Sequence, residues 1–206
     1  MGSCGLAADG CGSQALASVD DVWRVFAQRG VAEICEFLTA TEFERLRGYV
    51  DRKVGGKLFR SMEGDGQVGG APCEYADPVA EHILLQKTPY LCDLLRLDLV
   101  PTYSYLRLYR PGDRLSPHRD RPACEITISA SLAAASSWPL CILVSGRVVD
   151  YCPAPRSAVA FRGHDLLHWR DPLSADGSVA QALFHYVDRC GPFHSWAYDR
   201  RPTGTA

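Results

Sequence analysis

Two histidines and one aspartate carry the chemistry for which this sequence can be read. His118-Arg119-Asp120 follows the turn Arg110-Pro111-Gly112-Asp113, and His168 lies 50 positions after His118. On an extended backbone residues 118 and 120 project the same way, because side chains alternate along a strand. An imidazole and a hard carboxylate from one segment can then share a metal ion, with a third ligand brought from elsewhere. Two histidines and one carboxylate suit ferrous iron held with three positions open. The same donors also suit zinc, and a His-X-Asp triplet alone arises as a surface ion pair.

To assemble such a trio the chain must bring residues 118–120 and 168 together, and its texture suggests how. Ser18 or Asp20 can cap a short helix ending at Gly30, with Val22, Trp23, Val25 and Phe26 as its apolar side. Thr39 or Thr41 can cap a second helix over residues 39–50, with Glu42 or Glu44 in a first turn that favours acids. A third helix is expected over about 79–95, where Ile83, Leu84, Leu91, Leu94 and Leu95 are apolar. The Gly-rich residues 55–78 read as a loop near the site entrance.

From about residue 101 the pattern changes to short β-type segments at 103–109, 124–132, 140–145, 148–151, 158–161 and 179–187. Short strands broken by Gly and Pro turns predict a sandwich or barrel, not alternating βαβ units. The expected fold is therefore mainly β with α+β character, buttressed by N-terminal helices. Two facing sheets would bring the ends bearing His118 and His168 together. The expected organisation is a disordered tail over 1–18 and one domain over 19–206. That domain divides into a helical part at 19–100, a core at 101–190 and an extension at 191–206.

Composition narrows the function classes. The 206 residues are 47% hydrophobic and 22% charged, with a formal net charge of −2, so the whole chain lacks the basic footprint of a nucleic-acid binder. Nine cysteines form an odd number with no Cys-X-X-Cys, which signals neither a zinc knuckle nor a disulfide framework. A reducing, cytoplasmic setting is expected. No apolar run reaches the ~18 residues of a membrane span. Met1-Gly2-Ser3-Cys4-Gly5-Leu6 begins like a myristoylation signal, but Leu6 stands where Ser or Thr is wanted.

The flanks of the trio add a resemblance. The stretch Leu106-Arg107-Leu108-Tyr109-Arg110-Pro111-Gly112-Asp113-Arg114-Leu115-Ser116-Pro117-His118-Arg119-Asp120 resembles the first metal-ligand motif of 2-oxoglutarate- and iron(II)-dependent dioxygenases, as found in prolyl hydroxylases and alkylation-repair enzymes. Trp138-Pro139-Leu140, Phe161-Arg162-Gly163, His168-Trp169-Arg170-Asp171-Pro172 and Phe184-His185-Tyr186-Val187-Asp188 are similar to the second half of such proteins. The likeness is strong over about 100–190 and only outlined before that. It implies a double-stranded β-helix (jelly-roll) core with the metal in its mouth.

It also implies His118, Asp120 and His168 as catalytic metal ligands for Fe(II), with 2-oxoglutarate and dioxygen as co-substrates and ascorbate as an optional reductant. Tyr109 matches a tyrosine that helps bind the co-substrate. The family's usual basic residue begins the last core strand, yet residues 176–181 contain no Lys or Arg. A buried carboxylate still needs charge-assisted partners, and the candidates are Arg107, then Arg170, then Arg121, which could instead pair with Glu125. His185 could face the site but reads more readily as a satisfied core histidine. His164 reads as a solvated turn residue, and Trp138 and Trp169 as packing residues.

The expected activity is hydroxylation of an unactivated C–H bond. Because Asp120 keeps the carboxylate that related halogenases lack, halogenation is disfavoured. A small metabolite or amino acid ranks first as substrate and a peptide side chain, as in prolyl hydroxylation, second; nucleic acid and membrane partners are disfavoured. The competing class is a jelly-roll binding module that holds a metal or ligand without turnover.

Overall fold

The structure is a computed structural model that describes residues 19–132, 138–174 and 177–201. The tail over 1–18, Cys4, Cys11, Asp176 and the last residues of the extension lie outside the described residues.

Three helices form where their local signals place them. Helix α1 spans Val19–Arg29. Helix α2, Ala40–Gly56, opens on a reciprocal cap in which Thr39 accepts from Glu42 N–H and Glu42 accepts from Thr39 N–H. It runs six residues past the expected end at 50, into the Gly-rich stretch. Helix α3, Pro78–Leu95, is capped by Asp77, whose carboxylate accepts from the N–H groups of Val79 at 2.9 Å and Ala80 at 3.3 Å. Lys53 of α2 donates to Glu74 and pairs with Asp77 at 2.9 Å, tying α2 to the start of α3.

Among the described residues ten strands form two antiparallel sheets. The larger has the order β1-β8-β5-β10-β3-β2, and the smaller β4-β9-β6-β7. Their ranges are β1 Val31–Ile34, β2 Cys73–Tyr75, β3 Leu99–Tyr109, β4 Leu115–His118 and β5 Ile126–Ser131, then β6 Leu140–Val144, β7 Arg147–Tyr151, β8 Ala158–Phe161, β9 His168–Arg170 and β10 Val179–Asp188. From β3 onward the chain passes between the sheets so that β3, β5, β8 and β10 form the heart of one, and β4, β6, β7 and β9 the whole of the other. This is the jelly-roll expected of the core.

Alternation along the strands divides the two faces of the larger sheet. Leu106, Leu108, Ile126, Ile128, Phe184 and Tyr186 pack against Phe26, Leu46, Leu84 and Leu91 of the helices. The intervening Tyr103, Tyr105, Arg107 and Tyr109 face a cavity between the sheets. The helices are thus the buttress that lets the other face of β3 be polar.

Strands β1, β2, β4 and β9 lack a usable signal in the sequence. Each has three or four residues, β4 contains Pro117, and β9 turns His168 and Arg170 inward where an apolar residue would mark a strand. Among the described residues no helix is long and apolar enough to cross a membrane. After β10 the chain returns through a 3-10 segment, His194–Arg200, where Tyr198, Asp199 and Arg200 all have left-handed φ values of 53–56°. That conformation costs about 1–2 kcal/mol per residue. It delivers Asp199 to the Tyr75 hydroxyl at 2.5 Å and to Arg121 at 2.8 Å.

Candidate metal centre

His118 and His168 face one another across neighbouring strands: β4 and β9 pair antiparallel with His118 opposite His168. The two histidines therefore come from one sheet and not, as expected, from the ends of two facing sheets. Asp120 lies just past β4 and is held there by its backbone N–H donating to the Gly163 carbonyl at 2.9 Å. Its Oδ1 lies 3.4 Å from His118 Nε2 and 3.6 Å from His168 Nε2. The ligand atoms of the three lie within 4.8 Å of one another.

Each histidine is oriented from behind. Nδ1 of His118 lies 2.9 Å from the Ser116 carbonyl, and Nδ1 of His168 lies 2.9 Å from the Leu166 carbonyl. A carbonyl only accepts, so both Nδ1 atoms carry the proton and both Nε2 lone pairs point inward. This is the usual arrangement of metal-binding imidazoles. Burial alone would raise the pKa of Asp120. The His118 and His168 imidazoles beside it, in their protonated form, outweigh that and hold the carboxyl far below the ordinary range. Burial would lower the pKa of His118, but the neighbouring Asp120 carboxylate, which favours the imidazolium, raises it.

Gly163 makes this packing possible. A Cβ there would meet Asp120 Oδ2 at 2.2 Å and the Cys124 carbonyl at 2.7 Å, distances no side chain tolerates. His164, expected to be solvated, is half-buried, with Nδ1 3.0 Å from the Asp120 carbonyl and its ring against Phe193.

The trio opens on a cavity of about 390 Å³. One end is lined by Tyr109, Ser129, Arg170 and Gln181, the other by Tyr103, Arg121, Cys124 and His185. The three arginines singled out by the sequence all line it, but in different states. Arg107 is 3% exposed and already neutralised: its NH2 donates to Asp65 and to Gln67 at 3.2 Å, and its NH1 to the Tyr109 hydroxyl at 3.2 Å. Its Nε has no partner among the described residues. Arg121 pairs with Asp199 instead of Glu125 and stacks over Tyr103 at 4.6 Å.

Arg170, 6% exposed, differs from both. Its guanidinium donates to the Trp138 carbonyl at 2.8 Å and to Ser129 Oγ at 3.5 Å, and its plane lies 4.8 Å from the Trp138 ring. Among the described residues no carboxylate pairs with it. Burial pushes its pKa below the ordinary arginine value. Beside it Tyr109 accepts from Arg107, and its own hydroxyl proton has no protein acceptor among the described residues.

Asp65 and Thr127 were not foreseen from sequence. Asp65 comes from the segment between α2 and β2, and its carboxylate accepts from the Tyr105 hydroxyl at 2.6 Å as well as from Arg107. Thr127 donates to Asp120 Oδ2 at 2.9 Å and lies 3.0 Å from His185 Nδ1. Neither has a local motif; Thr127 becomes visible only when the strands are in register, and Asp65 only when its segment lies against β3.

No family model and no curated protein matches this sequence. Solved structures do match it. A Pseudomonas putida prolyl-4-hydroxylase superposes with a TM-score of 0.69 at 17% identity, covering 84% of this chain and 100% of that one. The chain has the fold of the 2-oxoglutarate- and iron(II)-dependent oxygenases. The epimerase SnoN, in complex with Fe3+, alpha ketoglutarate and nogalamycin RO, matches with a TM-score of 0.71 at 11% identity, covering 91% and 92% of the two chains. HygX from Streptomyces hygroscopicus, with nickel and 2-oxoglutarate bound, matches with a TM-score of 0.65 at 12% identity over 84% and 88%.

Proposed function

We propose that this protein is an iron(II)- and 2-oxoglutarate-dependent oxygenase that hydroxylates an unactivated C–H bond of a small metabolite or amino acid. The observation that carries the reading is Arg170. A buried guanidinium with no carboxylate partner among the described residues is costly, and it lines the same cavity as a His-Asp-His trio. A dicarboxylic acid that chelates a metal through one end and reaches Arg170 with the other would satisfy both at once.

The donor set fits the ion. Two inward Nε2 lone pairs and one ionised carboxylate on a single side of the cavity are the ligands for ferrous iron with positions left open. Fold neighbours carry such groups: SnoN with Fe3+ and alpha ketoglutarate, and HygX with nickel and 2-oxoglutarate.

His118, Asp120 and His168 would hold the metal, with the Ser116 and Leu166 carbonyls and Thr127 fixing their orientation. Arg170 would take the distal carboxylate of the co-substrate, and the free hydroxyl proton of Tyr109 would add a second bond there. Arg107 is the weaker candidate for that role because Asp65 already neutralises it. With these ligands in place, a bound metal and 2-oxoglutarate would supply dioxygen activation coupled to oxidative decarboxylation of the co-substrate to succinate and carbon dioxide. The protein's own part is to exclude water and to fix which bond of the substrate reaches the metal. A cavity of about 390 Å³ shared with a co-substrate suits a small molecule better than a peptide.

Succinate formation from 2-oxoglutarate tests the reading directly. Slow, iron-dependent turnover in the presence of ascorbate, without any other substrate, is expected from the wild type and not from His168→Ala. A protein that takes up no metal and forms no succinate would be a binding module.

A further inference from the structure

A hydrogen-bond chain leads from the metal-side carboxylate to the end of the cavity that the co-substrate would leave free. Asp120 is ionised and can only accept. The single hydroxyl proton of Thr127 therefore goes to Asp120 Oδ2, 2.9 Å away. The 3.0 Å contact between Thr127 Oγ and His185 Nδ1 then has one solution: Nδ1–H is the donor. His185 is fixed in that tautomer, and its Nε2 keeps a bare lone pair.

That lone pair has no partner among the described residues. The ring is 5% exposed, lines the cavity, and rests against Tyr103 with centroids 4.6 Å apart. A histidine that merely packed a core would have both nitrogens satisfied. This one is satisfied on the side facing the metal ligands and open on the other.

We propose that His185 Nε2 accepts a hydrogen bond from a neutral O–H or amide N–H of the prime substrate and so sets which C–H bond approaches the metal. The proposal rests on the oxygenase reading of the same cavity and names the substrate chemistry that goes with it. The Arg170 end offers donors, as an acid needs. The His185 end offers an acceptor, and the arginine beside it, Arg121, is already paired with Asp199. A second carboxylic acid would find no free charge there, whereas an alcohol or amide would.

The test combines proton location with binding. In zinc-loaded protein with 2-oxoglutarate, nitrogen NMR of labelled histidine is expected to find the His185 proton on Nδ1. The probes are a panel of amino-acid-sized alcohols and secondary amides, each with its O- or N-methylated partner. Donor-bearing members should bind and shift Nε2, and the methylated partners should bind roughly tenfold more weakly. The preference should vanish in His185→Leu and survive in part in His185→Gln, whose amide oxygen also accepts.

Zinc and 2-oxoglutarate binding, measured by calorimetry on the same samples, separates the two readings. A wild type that takes neither sinks the oxygenase reading and this one with it. A wild type that takes both, yet has the proton on Nε2, binds no panel member, or binds donor and methylated partners alike, overturns the assignment of His185 alone. If His185→Leu fails to fold, His185→Gln decides: a reduced but measurable partner preference supports the acceptor role, and a preference unchanged from wild type, or lost completely in a folded, zinc-binding variant, counts against it.

Discussion

The two ends of the cavity are built by the same strands yet present opposite chemistry. Strand β3 contributes Tyr109 to one and Tyr103 to the other, and β10 contributes Gln181 and His185. At the Arg170 end the groups left open among the described residues are donors: a guanidinium without a carboxylate and a tyrosine hydroxyl whose proton is unused. At the His185 end the free group is an acceptor, fixed by a chain of bonds that begins on a metal ligand. A polar cavity built in this way can sort two ligands by which of them gives and which receives hydrogen bonds. What this teaches is that the informative residues are those whose bonding is incomplete, since a completed bond asks nothing of a ligand.

Arg170→Met should have the largest effect of any single change in the cavity. Losing a buried charge partner costs ~2–5 kcal/mol, so 2-oxoglutarate affinity should fall about a hundredfold or more by calorimetry while metal affinity holds. The ligand-free variant should be as stable as wild type or more so in thermal melts, because an unpaired buried charge has gone. An equal loss in Arg107→Met and none in Arg170→Met would exchange the roles of the two arginines.

At the other end acid provides the probe. Burial takes the pKa of His185 down to about 4 from 6.5. Between those values the unfolded chain binds a proton that the folded one refuses, so stability rises with pH across this window. The contribution is complete above 6.5 and is lost as the pH falls toward 4, by roughly 2–3 kcal/mol. Denaturant melts from pH 7 to 4 should show that loss in wild type and a flatter profile in His185→Gln.

Two further changes act on the metal centre. Gly163→Ala forces a methyl against Asp120 and should weaken metal binding about tenfold to a hundredfold without unfolding the sheets. Thr127→Val keeps the shape but cuts the chain to His185. Metal affinity should fall roughly tenfold, and the histidine NMR signal should become a mixture of tautomers. An unchanged His185 tautomer would show that something other than Thr127 fixes it.

The same contrast marks how far the sequence could be read. The helices carried local signals, such as Thr39 with Glu42, and the long strands showed alternation. The metal trio was legible because two ligands sit two residues apart beside a Pro-Gly turn. The state of each arginine was not legible. Arg107 is neutralised by Asp65, 42 positions away, and Arg121 by Asp199, 78 positions away. His185 was expected to be a satisfied core residue, because its open nitrogen depends on Thr127, 58 positions distant. The strands β4 and β9 that bear the two histidines were too short and too polar to announce themselves. Partnership across register decides these questions, and no local pattern encodes it.

The facing of His118 and His168 across β4 and β9 has a consequence for handling the protein. Strand β4 is the outermost strand of the smaller sheet, four residues long and interrupted by Pro117, so few backbone bonds fasten it. An ion gripped by both histidines would act as a rivet through that rim. Chelation would then free β4 first and bare the edge of β9, a template on which other chains can assemble. Metal-stripped preparations should therefore be the ones that aggregate on storage.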